Sequence, residues 1–159
     1  MKVAFGAMLT LLLISTLTFA VNTQSVKANP ETIVVPDHYR TIGWAIGNAS
    51  AGDTITVKKG TYYENTITIN KQLSIIASSA GEVNIIANQG QLFSVNSHNV
   101  TIQGLNLKNI NGYGISARES DNLNIFYNTI GGNSLSTDAA GISIGERARE
   151  ELAACTHGF

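Results

Sequence analysis

Three kinds of short strand recur in fixed order along this chain, each returning after 22 to 28 residues from Val57 onward. One column reads Ile67-Thr68-Ile69, Phe93-Ser94-Val95, Ile115-Ser116-Ala117 and Ile142-Ser143-Ile144. A second reads Leu73-Ser74-Ile75, Val100-Thr101-Ile102 and Leu123-Asn124-Ile125, each copy preceded by a polar pair: Lys71-Gln72, His98-Asn99, Asp121-Asn122. The third runs Val83-Asn84-Ile85, Leu105-Asn106-Leu107, Asn128-Thr129-Ile130. A repeat of this length built only of triplet strands and turns predicts a coil stacked on itself, an all-β parallel β-helix of about four rungs.

Within most triplets the outer residues are apolar and the middle one polar, so alternation sends two side chains into the bore and one to solvent. Equivalent residues such as Ile75, Ile102 and Ile125 then stand above one another about 4.8 Å apart, where β-branched side chains pack well. Asparagines fall at the corners, at Asn99, Asn109, Asn111, Asn122 and Asn128. There the left-handed conformation is tolerated and the amides can stack as ladders between rungs. A β-sandwich would also use many short strands, but it does not require column-matched residues at a constant rung length.

The 159 residues open with Met1-Lys2 and an apolar run from Leu9 to Ala20, which predicts a secretory signal over 1–28 cleaved after Ala28, with Val26-Lys27-Ala28 at the cut. The run is too short for a spanning helix, which needs about 20 apolar residues. Removing Lys2 and Lys27 leaves 8 Lys and Arg of 10 against 11 Asp and Glu, a net charge of −3. That balance gives no basic footprint for nucleic acid. The single Cys155 forms no internal disulfide, and His38, His98 and His157 stand far apart, so no metal motif is present. Asn48-Ala49-Ser50 and Asn99-Val100-Thr101 are formal glycosylation acceptors.

Residues 29–52 supply a first strand, Ile33-Val34-Val35, and a short helix beginning near Thr41. Ile42, Ala45, Ile46 and Ala49 recur at i, i+3, i+4 and i+7 there. A β-helix has two open ends, and this helix is the expected N-terminal cap. Trp44, beside the apolar stripe, is expected to join the cap rather than to stack on sugar. The rungs are expected over 53–145.

Tyr39-Arg40-Thr41-Ile42, Ala45-Ile46, Gly52-Asp53-Thr54-Ile55-Thr56-Val57 and Gly60-Thr61-Tyr62-Tyr63-Glu64-Asn65 together resemble the opening of the pectin-lyase-like superfamily of right-handed β-helix proteins. That opening is shared by pectin methylesterases and by surface or periplasmic β-helix proteins of the NosD and carbohydrate-binding/sugar-hydrolysis type. The resemblance spans about Ile33 to Ile144 and implies a right-handed parallel β-helix. The Gln-Asp and Asp-Phe-Ile-Phe-Gly-like segments of the esterases have no counterpart in this chain, and the Asn-rich Asp121-Asn122-Leu123-Asn124-Ile125-Phe126-Tyr127-Asn128 is closer to the surface proteins.

The candidate binding residues form two groups. Arg118, Glu119 and Asp121 make a charged corner preceded by Tyr113, of the residue types with which lyases of this fold hold Ca²⁺ against an acidic sugar and remove a proton. Asn133 and Asp138, with Ser136, lie in a loop four residues longer than its counterpart one rung earlier, and such insertions collect on binding faces. Both groups also read as ordinary solvated turns. So do Lys58 and Lys59, and of Tyr62 and Tyr63 one is expected inward and one exposed.

Beyond Ile144 the pattern stops: five of the six residues Glu146 to Glu151 are charged, against 14 in the 117 residues from Asn29 to Gly145. Residues 146–159 favour helix by propensity. They either cap the far end or mark a truncated or shifted reading frame, leaving the N-terminal rungs of a longer protein. The expected function is an exported surface or periplasmic module that binds a polysaccharide or envelope glycan, or scaffolds an assembly. No cofactor is expected, Ca²⁺ belonging only to the lyase alternative. The rivals are a lyase, esterase or hydrolase fragment acting through Arg118, Glu119 and Asp121, and a copper-processing role like that of NosD. Edge-to-edge self-association is compatible with all three.

Overall fold

A computed structural model describes residues 29–87, 90–109, 112–118, 120–131 and 141–145. The described part opens with strand β1 (Thr32–Val35), ended by the cis Val35–Pro36 peptide, and helix α1 (Ile42–Asn48). Four rungs of three strands follow. They are β2 (Thr54–Val57), β3 (Gly60–Tyr63) and β4 (Ile67–Ile69); β5 (Ser74–Ala77), β6 (Val83–Ala87) and β7 (Phe93–Val95); β8 (Thr101–Gln103), β9 (Leu105–Asn109) and β10 (Ile115–Ala117); and β11 (Asn124–Phe126), β12 (Thr129–Gly131) and β13 (Ile142–Ile144).

Strands of like position pair in parallel, giving sheets β1-β2-β5-β8-β11, β3-β6-β9-β12 and β4-β7-β10-β13. The chain is therefore a parallel β-solenoid of about four turns. The three columns read from the sequence are the three sheets, in register: Ile67 pairs with Phe93, Phe93 with Ile115 and Ile115 with Ile142. Ile75 pairs with Ile102 and Ile102 with Ile125, while Asn84 pairs with Asn106 and Asn106 with Thr129.

One rung starts earlier than the period suggests. β1 and β2 extend the second column, and Gly60–Tyr63 begins the third. The advance from Thr54 to its partner Ser74 is only 20 residues, which falls outside the period read from later rungs. Asp53 occupies the buried column that Leu73 and Val100 fill in the next two rungs. Its carboxylate is satisfied there by the Glu31 amide at 2.9 Å and the Ser50 amide at 2.7 Å, so a buried polar residue stands where an apolar one is expected.

The bore is lined by Ile55, Ile75 and Ile102 from one sheet, Val83, Ile85, Leu105 and Leu107 from another, and Ile69, Phe93, Val95 and Ile115 from the third. The expected corner chemistry is present at Asn99, Asn122 and Asn128, whereas Asn109 is the last residue of β9 rather than a corner residue and Asn111 lies outside the described residues. Asn99 and Asn122 are left-handed, with φ of 54° and 53°, and the Asn122 amide donates to Asn99 Oδ1 at 3.0 Å. Asn106 donates to Asn84 Oδ1 at 3.3 Å. Asn128 does more than turn the chain: it accepts from the Leu105 amide at 2.9 Å and donates to the Ile102 carbonyl at 2.7 Å, supplying partners to two backbone groups where the rung bends.

The N-terminal end is closed by α1, with Thr41 as N-cap accepting from the Trp44 amide at 3.1 Å, and with Ile42, Ala45, Ile46 and Ala49 buried. The first rung clamps both helix ends. Glu64 accepts from the amides of Ile42 and Gly43, the latter at 2.8 Å, and Lys71 donates to the carbonyls of Ala49 at 2.8 Å and Gly47 at 3.3 Å. These are the unpaired donors and acceptors that every helix leaves at its ends. Trp44 departs from expectation. It stays 57% exposed, edge-on to Tyr39 at 5.4 Å, because Ile42 and Ile46 already fill the helix face turned to the bore. Of the two tyrosines, Tyr62 packs against the core and Tyr63 is exposed, as alternation requires.

Candidate functional site

β10 ends at Ala117, and the chain crosses a corner into β11. Arg118 is exposed, its amide donating to the Val95 carbonyl at 3.3 Å, and Ser120 is buried with its hydroxyl bonded to the same carbonyl at 3.2 Å. Ser120 thereby holds the corner down and swings Asp121 outward. Asp121 meets His98, its register equivalent one rung back: His98 Nδ1 lies 3.1 Å from Asp121 Oδ2 and 3.1 Å from the Asp121 amide. The Asp121 carbonyl in turn accepts from the Asn99 amide at 2.9 Å.

One nitrogen thus faces a donor and an acceptor, and its proton decides between them. Unprotonated Nδ1 accepts from the Asp121 amide; protonated Nδ1 donates to the carboxylate. Both side chains are 59% exposed, so the pair contributes little to stability. Chemically, a carboxylate on one imidazole nitrogen orients the other for proton transfer.

The structure separates the residues that the sequence grouped. Tyr113 is half-buried in the turn before β10, its carbonyl accepting from the Leu92 amide at 3.0 Å. It therefore stands at the opposite end of the strand from Arg118, roughly 16 Å away along an extended chain. Glu119, Asn133 and Asp138 lie outside the described residues. The residue that sequence reasoning missed is His98. The signal was present, since His98-Asn99 and Asp121-Asn122 are the aligned polar pairs before consecutive strands of one column.

Among the described residues no group of three or more His, Cys, Asp or Glu gathers to hold a metal ion, and no helix is long and apolar enough to cross a membrane. His38 is engaged locally, Nδ1 accepting from the Val34 amide at 3.2 Å. Lys58 pairs with Asp37, which leaves it less available to an acidic polymer than Lys59. The two sequon asparagines are bonded: Asn48 donates to the Trp44 carbonyl at 2.9 Å, and Asn99 accepts from Asn122.

The outer surface has a different character from the corners. Lys108 is the one charged residue among the outward positions of the three sheets, the rest being chiefly Thr, Ser and Asn. Among the described residues the large apolar side chains left exposed are Trp44, Tyr63 and Tyr127, at 57%, 75% and 80%. No family model, no curated protein and no solved structure matches this chain.

Proposed function

We propose that the protein is an exported β-helix module of the pectin-lyase-like kind that binds carbohydrate on its lateral surface. The supporting observation is that the outward positions of the three sheets are chiefly hydroxyls and amides with Lys108 their one charge, and that Tyr63, which ends β3, and Tyr127, which follows β11, are exposed aromatics on that lateral surface. Aromatic faces stack on the C–H faces of sugar rings while neighbouring hydroxyls and amides exchange hydrogen bonds with their hydroxyls. The signal-like residues 1–28 support export, and the right-handed coil follows the common hand of parallel crossovers. The test is a glycan array probed with the secreted protein, together with sequencing of its N-terminus. Binding to a defined polysaccharide class and a start at Asn29 are expected; no binding across plant, fungal and bacterial glycans removes the proposal.

A second reading is favoured by one observation. A glycan-cleaving enzyme needs a carboxylate joined by a partner from an adjacent rung, and His98 is such a partner for Asp121. This reading predicts release of reducing ends that His98→Ala abolishes; product formation indifferent to that substitution counts against it.

A further inference from the structure

The sheet β1-β2-β5-β8-β11 is the widest of the three, and it turns ten side chains outward, two from each strand, none of them charged. At its last two rungs these are Thr101, Gln103, Asn124 and Phe126. None of the four side chains bonds to the rest of the described protein, so the hydroxyl and both amides remain available to a ligand. Immediately after Phe126 comes Tyr127, 80% exposed with φ of 55°. The same position one rung earlier is Gly104, at φ 76°, and the other described residues with positive φ are all glycine or asparagine.

A bulky residue in this conformation is an outlier that the surrounding structure must impose. Its ring is not free in solvent: it stands edge-on to Phe126, centroids 5.5 Å apart and planes at 76°. The strained corner thus presents an ordered aromatic pair beside two unbonded amides. We propose that Phe126 and Tyr127, with Gln103, Asn124 and Thr101, form the docking platform for an extended, uncharged polysaccharide. The platform rests on the carbohydrate-binding reading and narrows it. An acidic chain is disfavoured, because the face offers no cation and Asp121 stands on the same rung, roughly 10 Å along the chain from Asn124.

The test is affinity gel electrophoresis of the full chain, as secreted, in gels containing hydroxyethyl cellulose, xylan, glucomannan or polygalacturonate. Retardation by one or more of the uncharged polymers, unaffected by salt, is expected. Tyr127→Gly should raise the melting temperature by a few degrees while weakening binding about tenfold, since glycine relieves the corner and removes the stacking surface. Gln103→Ala should weaken binding several-fold, and Trp44→Ala and Tyr63→Ala should each weaken it less than Tyr127→Gly does. Retention lost in Trp44→Ala or Tyr63→Ala but kept in Tyr127→Gly overturns the platform and leaves carbohydrate binding standing. Salt-sensitive retention by polygalacturonate alone overturns the uncharged ligand. A lowered melting temperature with lost binding in Tyr127→Gly assigns Tyr127 to the corner's structure and also overturns the proposal. Failure of the unmodified protein to bind any polymer removes the carbohydrate-binding reading itself.

Discussion

Single residues carry more of this fold than a stack of similar rungs suggests. Gly114 is buried beside β10, where an added Cβ would stand 2.6 Å from Ile130 and 2.8 Å from the Gly141 carbonyl. The second neighbour is backbone and cannot rotate away. Gly114→Ala is therefore expected to destabilise by about 1–3 kcal/mol, read by thermal melting. Tyr62 gives a pH prediction. Burial, then the Asp37 and Glu64 carboxylates, raise its phenol above the ordinary value of 10.0, with Lys58 opposing, and its hydroxyl donates to the Lys58 carbonyl at 2.9 Å. A raised folded pKa means that the stability tied to this proton is complete below the unfolded value and is lost as pH climbs through the folded one. Alkaline titration of phenolate absorbance should show one tyrosine ionising late, and Tyr62→Phe should remove that phase and flatten the alkaline loss of stability. Retention of the late phase in the variant would refute the assignment.

At the scale of elements, the N-terminal helix shows how a short segment is kept helical. Seven residues are too few for a helix to persist alone in water. α1 persists because its apolar face covers the bore and because Glu64 and Lys71, 16 or more residues beyond its end, bond its terminal amides and carbonyls. Glu64→Ala should cost about 1–2 kcal/mol, seen as a lower denaturation midpoint, by leaving two helix donors without their charged acceptor. An unchanged midpoint would show that water replaces the carboxylate without loss. The helix itself was legible from the spacing of Ile42, Ala45, Ile46 and Ala49. The clamp was not, because nothing in the spacing of Glu64 says that the chain returns to the helix one rung later. The same limit explains His98 and Asp121: alignment put them in one column, but only the corner anchored by Ser120 brought imidazole and carboxylate within 3.1 Å.

Across the whole molecule, stability should be graded rather than uniform, since each rung is held chiefly by its neighbours. In the first three rungs the column Ile55, Ile75 and Ile102 is fully buried, whereas its fourth-rung member Ile125 is only half-buried, as are Ile130, Ile142 and Ile144. Amide exchange should be slowest in β5, β6, β8 and β9 and fastest in β11 to β13. Equal protection along the stack would mean that the last rung is covered, as in edge-to-edge association, and sedimentation would then show a dimer.

The sequence by itself determined the register of the strands from Ile67 onward and the sheet each of them joins, because a coil must place chemically equivalent residues above one another and the repeat records that directly; the sheets of β1, β2 and β3 were fixed only by the structure. It also marked Asn99, Asn122 and Asn128 as corner residues, though it put Asn109, the last residue of β9, there as well. Tertiary structure alone decided which polar groups meet and which aromatics stay outside. Trp44 lies beside the apolar stripe yet remains exposed, Asp53 lies in an apolar column yet is satisfied, and Tyr127 occupies a corner that elsewhere takes Gly or Asn. Glu31, which satisfies Asp53, lies 22 residues away in the chain, and a distance of that kind is fixed only when the coil closes over itself.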